Sequence, residues 1–132
     1  MEQKTVLVVE DDPDIRDIVQ DLLESEGYDV VPASHGRQAL EFLSGVKKHA
    51  KPALVILDMM MPLVDGREVL QAMQRDADLA SIPVLVISAI AREKPEGATA
   101  FLTKPVSLDK LFETVRSFTQ PQPPAGVGAR RA

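Results

Sequence analysis

Three segments of the chain are apolar at every position, and this feature limits the possible folds more than any other in the sequence. They comprise residues 6–9, 53–57 and 83–87. A strand with one face in water alternates apolar and polar side chains, whereas a strand that is buried on both faces shows no alternation. We therefore expect both faces of these strands to be covered, which is typical of a parallel sheet with helices on each side.

Apolar residues at helical spacing follow the first of these strands. The apolar positions that recur at intervals of three and four residues are Ile15, Ile18, Val19, Leu22 and Leu23. Asp12 can cap this helix, Pro13 suits its first position because the missing N–H is not needed there, and Gly27 marks its end. The sequence thus predicts a helix between the first strand and a second strand near residues 28–31.

The alternation of strand and helix continues to residue 118. Helices are predicted near residues 39–43, after the capping-box sequence Asp65-Gly-Arg-Glu68, and after Ser107. A short fifth strand is predicted at Phe101 and Leu102. Strand and helix alternate five times, which indicates an α/β fold with a doubly wound parallel sheet and right-handed crossovers.

The length of 132 residues leaves room for one compact core. We assign residues 1–118 to this domain. Residues 119–132 are rich in proline and glycine and contain almost nothing to bury, so we expect them to form a disordered tail.

Composition excludes several classes of protein. There is no Cys, which rules out a disulfide framework, a thiolate zinc site and a thiol nucleophile. No apolar run approaches the roughly 18 residues of a membrane span. The net charge of −5 opposes binding to nucleic acid or to an anionic membrane surface. We expect a protein of the cytoplasm that binds neither nucleic acid nor a membrane directly.

Polar residues stand directly after four of the predicted strands. Glu10 and Asp11 follow the first strand, and Asp58 follows the third. Ser88 follows the fourth strand, and Lys104 follows the fifth. In an open parallel sheet, ligands bind at the edge where the carboxyl ends of the strands meet. Clustered carboxylates repel one another, and a hard divalent cation with oxygen ligands relieves the repulsion, so we expect Mg²⁺ at this edge.

The same residues suggest a reaction. A magnesium ion, a hydroxyl group at Ser88 and an ammonium group at Lys104 around one carboxylate are suited to stabilising a phosphoryl group during transfer. Asp58 would be the nucleophile, since carboxylates accept phosphoryl groups as aspartyl phosphates.

Five motifs in this order resemble the receiver domain of two-component response regulators. They are Val8-Val-Glu-Asp-Asp12, Leu57-Asp-Met-Met-Met-Pro62, Asp65-Gly66, Ile87-Ser88-Ala89 and Thr103-Lys-Pro105, and the resemblance covers about residues 4–118. It implies a flavodoxin-like fold, whose five-stranded parallel sheet has the strand order 2-1-3-4-5. It also implies a single-domain protein similar to the chemotaxis regulators.

The resemblance implies a metal site formed by four residues. Asp58 would accept the phosphoryl group and would also bind Mg²⁺ together with Asp11. The backbone carbonyl of Met60 would be a further metal ligand, and Glu10 would help to position the metal-bound water. Glu10 stands where the family often has aspartate, and this change keeps the carboxylate.

Three further residues would act on the phosphoryl group or respond to it. Ser88 would be the switch hydroxyl that closes onto the phosphoryl group, and Lys104 would hold one of its oxygens. Phe101 would be the switch aromatic, although it lacks the phenol hydroxyl of the tyrosine that many members carry. The ring could still move, but it could not form a new hydrogen bond.

The connection between the fourth and fifth strands departs from the family pattern. Only the eleven residues 89–99 separate Ser88 from the fifth strand, which is fewer than usual. Pro95 disfavours helical geometry at the residue before it, and Gly97 is a helix stop. We expect the fourth helix to be shortened to at most about two turns. The surface that this helix builds with the fifth strand and the last helix should be remodelled.

The sequence therefore predicts a response-regulator receiver in a two-component phosphorelay. It would take a phosphoryl group from a sensor histidine kinase or a histidine phosphotransfer protein onto Asp58 and then change its affinity for an unknown downstream protein. It is a signalling switch and not a metabolic enzyme, although it would catalyse its own magnesium-dependent phosphorylation. Met60 and Ile90 are apolar and offer no hydrogen bond to an attacking water, so we expect slow autodephosphorylation.

Two alternatives remain open. One is a pseudo-receiver that binds partners without being phosphorylated, which the complete set of acidic, hydroxyl and lysine residues disfavours. The other is an aspartate-nucleophile phosphatase. Such enzymes usually need a second acid two residues after the nucleophile, where this chain has Met60.

Overall fold

The computed structural model describes residues 4–46, 51–59, 65–89 and 93–119. In chain order the elements are β1 (Thr5–Val9), α1 (Pro13–Ser25), β2 (Asp29–Ala33), α2 (Gly36–Ser44), β3 (Leu54–Asp58), α3 (Gly66–Arg75), β4 (Val84–Ser88), β5 (Ala100–Thr103) and α4 (Leu108–Thr119). The strands form one sheet in the order β2-β1-β3-β4-β5, and every neighbouring pair is parallel. The predicted fold class and strand order are confirmed.

The central strands are covered on both faces of the sheet. β3 and β4 are buried at every position. Successive side chains of a strand point to opposite faces, so each strand contributes to two apolar clusters. In β3, Val55 and Leu57 join the cluster beneath α2 and α3, which we call the α2/α3 face. Leu54 and Ile56 join the cluster beneath α1 and α4, the α1/α4 face. This arrangement explains why the sequence shows no polar alternation.

Local sequence signals set the ends of the helices. The side chain of Asp12 accepts hydrogen bonds from backbone N–H groups in the first turn of α1. The hydrogen bond from the Asp14 N–H is 2.9 Å long. Asp65 accepts one from the Glu68 N–H at 3.1 Å at the start of α3. Gly27, just after α1, has a φ of 94°, a conformation that glycine adopts without a steric penalty. The predicted caps and the predicted end of α1 are confirmed.

The connection between β4 and β5 carries no helix over its described residues 93–99. Pro95 and Gly97 interrupt helical geometry there, and Gly97 has a φ of 92°. The segment returns to the sheet at Thr99, whose N–H donates to the Val84 carbonyl at 2.8 Å and whose hydroxyl accepts from the Val84 N–H at 3.0 Å. The predicted shortening of this helix is confirmed, and the described residues of the chain contain four helices.

The last helix ends at Thr119, the first residue of the predicted tail. Thr119 is buried, and its hydroxyl donates to the Val115 carbonyl at 2.9 Å. The Tyr28 hydroxyl lies 2.6 Å from Thr119 Oγ1 and forms a second hydrogen bond with it. Thr119 therefore belongs to the folded domain, while residues 120–132 lie outside the described residues. Within the described part of the chain, no helix is long and apolar enough to cross a membrane.

Candidate functional site

Four strands bring polar side chains to one edge of the sheet. Glu10 follows β1, Asp58 ends β3 and Ser88 ends β4. Lys104 follows β5, and its N–H donates to the Ser88 carbonyl at 3.0 Å, which extends the pairing of β4 and β5 by one residue. Because the strands are parallel, their carboxyl ends meet. The structure thus brings these four residues together, as the sequence predicts.

Three carboxylates form an acidic cluster at this edge. One carboxylate oxygen of each of Glu10, Asp11 and Asp58 lies within 4.8 Å of the others. Glu10 and Asp58 are buried, with 5% and 4% of their surface exposed, whereas Asp11 is exposed. The cluster consists of hard oxygen donors, which are the ligands that Mg²⁺ and Ca²⁺ prefer.

The burial of Glu10 makes its charged form costly. Burial raises the pKa of Glu10 to about 7, and the Asp58 carboxylate adds to the rise, while the Asp12 N–H and the Lys104 ammonium group oppose it. A carboxyl group with such a pKa is partly protonated near neutral pH unless a cation stabilises its charged form. The cluster therefore fits a bound cation.

Lys104 is a positive charge that faces this cluster. Its Nζ lies 3.2 Å from Glu10 Oε1 and 3.4 Å from Asp58 Oδ2. Burial acts to lower the pKa of Lys104, but the carboxylates of Asp58 and Glu10 outweigh burial and raise it. Lys104 therefore stays charged. One ammonium group against three carboxylates leaves negative charge for a divalent cation to neutralise.

Hydrogen bonds hold the loop between β1 and α1. The Asp12 N–H donates to Glu10 Oε2 at 3.2 Å, and the Glu10 N–H donates to the Ala33 carbonyl of β2 at 3.0 Å. Arg16 of α1 donates from Nη1 to the backbone carbonyl of Glu10 at 2.8 Å. The sequence alone assigns no role to Arg16. Helical spacing places it on α1, but no motif signals that its side chain turns back to the loop.

Gly66 allows α3 to begin directly against the end of β3. Its N–H donates to the Met59 carbonyl at 3.2 Å. A Cβ atom at this position would lie 2.7 Å from the Asp58 carbonyl oxygen and 2.7 Å from the Met59 Cα, which is closer than real Cβ atoms approach backbone. The glycine of the Asp65-Gly66 motif is therefore needed beside Asp58.

The two predicted switch residues differ in burial, and two further residues named from the sequence lie outside the described part of the chain. Ser88 is fully buried at the end of β4. Phe101 is half-buried in β5 and packs against the cluster of the α2/α3 face. Met60 and Ile90 lie outside the described residues, and so does the backbone carbonyl that was predicted as a metal ligand.

A cavity of about 520 Å³ opens beside the acidic cluster, between α1 and the start of α4. Asp58 and Lys104 form part of its wall. Among the described residues, the large apolar side chains that remain exposed are Ile15, Ile18 and Leu108, and all three line this cavity. Exposed apolar surface is thus gathered next to the acidic cluster.

A doubly wound sheet of this strand order, with clustered acids and a lysine at its carboxyl edge, is the architecture of a receiver domain. Comparison with known proteins gives the same class, because residues 6–116 match the family model of the response regulator receiver domain. The chain therefore belongs to the response regulator receiver family, whose members are signalling proteins of two-component systems.

Three relatives match this chain over nearly their whole length. The polar-differentiation response regulator DivK of Brucella anthropi is 31% identical over 121 residues, which cover 87% of this chain and 95% of that protein. The chemotaxis response regulator CheY4 of Vibrio cholerae superposes with a TM-score of 0.77 at 28% identity, over 89% of this chain and 99% of its own. The response regulator TrrA of Thermotoga maritima, solved in complex with Mg(2+)-BeF, superposes with a TM-score of 0.75 at 30% identity, over 88% and 99%.

Proposed function

We propose that this chain accepts a phosphoryl group on Asp58 from the phosphohistidine of a sensor histidine kinase or a histidine phosphotransfer protein. Phosphorylation then changes its affinity for a downstream protein. One observation carries the proposal: the Asp58 carboxylate belongs to the acidic cluster and lies 3.4 Å from the Lys104 ammonium group at the edge of the sheet where ligands bind.

The proposed transfer is a substitution at phosphorus. An Asp58 carboxylate oxygen forms the new P–O bond, and the P–N bond to the imidazole breaks. The imidazole takes up one proton and leaves in its neutral form, so an acyl phosphate remains on Asp58. The approach of an anionic carboxylate to an anionic phosphoryl group is unfavourable, and the Lys104 ammonium group reduces that repulsion. The hydroxyl of Ser88, on the neighbouring strand, would donate a hydrogen bond to a phosphoryl oxygen.

Mg²⁺ is the cation that we propose for the acidic cluster. Asp11 and Asp58 would bind the ion, Glu10 would hold its water, and the Met60 carbonyl would be a further ligand. A bound ion would supply positive charge to the phosphoryl oxygens. The oxygen-only donor set supports this assignment, and the similar TrrA was solved with Mg(2+)-BeF.

We propose the apolar cavity beside Asp58 as the surface that receives the phosphodonor protein. A phosphohistidine has to reach Asp58 from solvent, and Asp58 lines the same cavity as Ile15, Ile18 and Leu108. A donor helix with apolar side chains next to its histidine would cover these three residues. Exposed apolar patches of this kind mark sites of protein association.

The phosphorylated state would be transmitted through Ser88 and Phe101. Ser88 would close onto the phosphoryl group, and the half-buried Phe101 ring would respond by repacking. Loss of the phosphoryl group would be slow, because Met60 and Ile90 offer no hydrogen bond to an attacking water. The double variant Met60→Asn with Ile90→Glu should therefore shorten the lifetime of the acyl phosphate. An unchanged decay of radiolabelled protein would refute this explanation.

The variant Asp58→Asn tests the central proposal, and Asp12→Asn is its matched control. Asp12→Asn makes the same chemical change at the same edge of the sheet, and asparagine caps a helix as well as aspartate does. Each protein is incubated with acetyl phosphate and Mg²⁺, and intact-protein mass spectrometry detects phosphorylation. We expect the wild type and Asp12→Asn to be phosphorylated and Asp58→Asn to remain unmodified. Phosphorylation of Asp58→Asn at the wild-type level would contradict the proposal, and an unmodified wild type would favour the pseudo-receiver.

A further inference from the structure

Arg16 carries a charge that its position in the helix disfavours. It lies in the first turn of α1 (Pro13–Ser25), where the backbone dipoles create a partial positive charge. Acidic side chains stabilise this end of a helix, as Asp14 does here, whereas basic side chains destabilise it. A residue that breaks a local rule usually has a role elsewhere in the structure.

The side chain of Arg16 turns back from α1 to the loop that carries two of the clustered acids. Its Nη1 donates to the Glu10 carbonyl at 2.8 Å, and the residue is half-buried. This carbonyl belongs to the peptide group that joins Glu10 to Asp11. A charge-assisted hydrogen bond to that peptide fixes the backbone from which both carboxylates extend.

We propose that Arg16 is a positioning residue of the metal site. By holding the peptide between Glu10 and Asp11, it keeps their carboxylates at binding distance from the Asp58 carboxylate before any ion arrives. Removing a residue that holds metal ligands in place without binding the metal typically weakens metal affinity by about 10-fold or more. The inference rests on the proposed function, because it assumes that the acidic cluster binds Mg²⁺.

The positive charge of Arg16 acts in the opposite direction from its hydrogen bond. A guanidinium group near the cluster repels an incoming cation, so its removal would strengthen Mg²⁺ binding if charge were the main effect. Removal would weaken Mg²⁺ binding if the position of the loop were the main effect. The sign of the change in affinity therefore separates the two roles.

The experiment measures the Kd of Mg²⁺ for the unphosphorylated full chain by isothermal titration calorimetry. Arg16→Met keeps the apolar stem and the helix propensity but removes the donor, and we expect it to raise the Kd about 10-fold. Arg16→Lys keeps one charged donor and should restore most of the affinity. Arg37→Met is the matched control, because Arg37 is an exposed arginine in the first turn of α2, and it should leave the Kd unchanged.

Thermal unfolding without Mg²⁺ is measured on the same variants. A merely structural role of Arg16 predicts a lower Tm with an unchanged Kd, and that result would overturn the inference while the proposed metal site stands. A tighter Kd in Arg16→Met would overturn it in the same way. If the wild type does not bind Mg²⁺, the metal site and the inference both fail. If Arg16→Met does not fold, Arg16→Gln replaces it in the test. The glutamine side chain is shorter than that of arginine, so Arg16→Gln should also weaken Mg²⁺ binding. A wild-type Kd in Arg16→Gln would refute the inference.

Discussion

The two faces of the sheet are covered to different degrees. On the α2/α3 face, the helices and the loop residues Leu79, Ile82 and Ala98 complete a continuous buried cluster. On the α1/α4 face, Ile15 and Ile18 remain 37% and 51% exposed around the cavity that reaches Asp58. The comparison separates apolar surface that stabilises the fold from apolar surface that is available for binding.

Among the described residues, the exposed large apolar side chains of the α1/α4 face lie at one end of that face. Leu108 begins α4 at the carboxyl edge of the sheet and is exposed beside the cavity. At the other end of α4, the buried hydroxyl groups of Thr119 and Tyr28 lie 2.6 Å apart and join α4 to the start of β2. Over the described residues, the exposed apolar surface of this face therefore lies at the edge that carries the acidic cluster, where the proposed phosphodonor would approach.

The largest expected effect on stability comes from a substitution on the α2/α3 face. Leu43 of α2 is 1% exposed within the cluster of the α2/α3 face. Leu43→Ala should lower the free energy of unfolding by about 2–5 kcal/mol, because it removes buried methyl groups and leaves a cavity. Urea denaturation measures the loss. A loss below about 1 kcal/mol would mean that this face is not packed as described.

A substitution on the α1/α4 face should have a smaller effect, which concerns binding and not stability. Ile18→Gln keeps helix propensity and adds no charge, so the free energy of unfolding should change by no more than about 0.5 kcal/mol. Transfer from a phosphorylated histidine phosphotransfer protein should slow by about 10-fold, because the donor loses an apolar contact. Transfer from acetyl phosphate, which needs no docking surface, is the internal control and should be unchanged. Equal slowing with both donors would contradict a docking role for Ile18.

The smallest expected effect is at the closed end of the α1/α4 face. Tyr28→Phe removes the hydrogen bond to Thr119 and should lower the free energy of unfolding by about 1 kcal/mol. Thr119 keeps its hydrogen bond to the Val115 carbonyl, so no buried donor is left unpaired. A double-mutant cycle with Thr119→Val isolates the pairwise interaction. An additive double variant would show that the two hydroxyl groups do not stabilise each other.

The fold and most residues of the candidate site could be predicted from the sequence, because both depend on local patterns. Unbroken apolar runs identify strands that are buried on both faces, and caps such as Asp12 and Asp65 identify helix ends. Once the strands are known to be parallel, their carboxyl ends must share an edge. Glu10, Asp58 and Lys104 then converge without any knowledge of side-chain contacts.

The tertiary structure decided what depends on neighbours that are distant in the chain. Helical periodicity places Ile15 and Ile18 on the same apolar stripe as Val19, yet only Val19 is buried, because nothing in the described residues covers the first turns of α1. The contact of Arg16 with the Glu10 carbonyl likewise depends on which rotamer its long side chain adopts. Sequence periodicity specifies which face of an element is apolar, but burial and hydrogen bonding are set by the atoms that another part of the chain brings against that face.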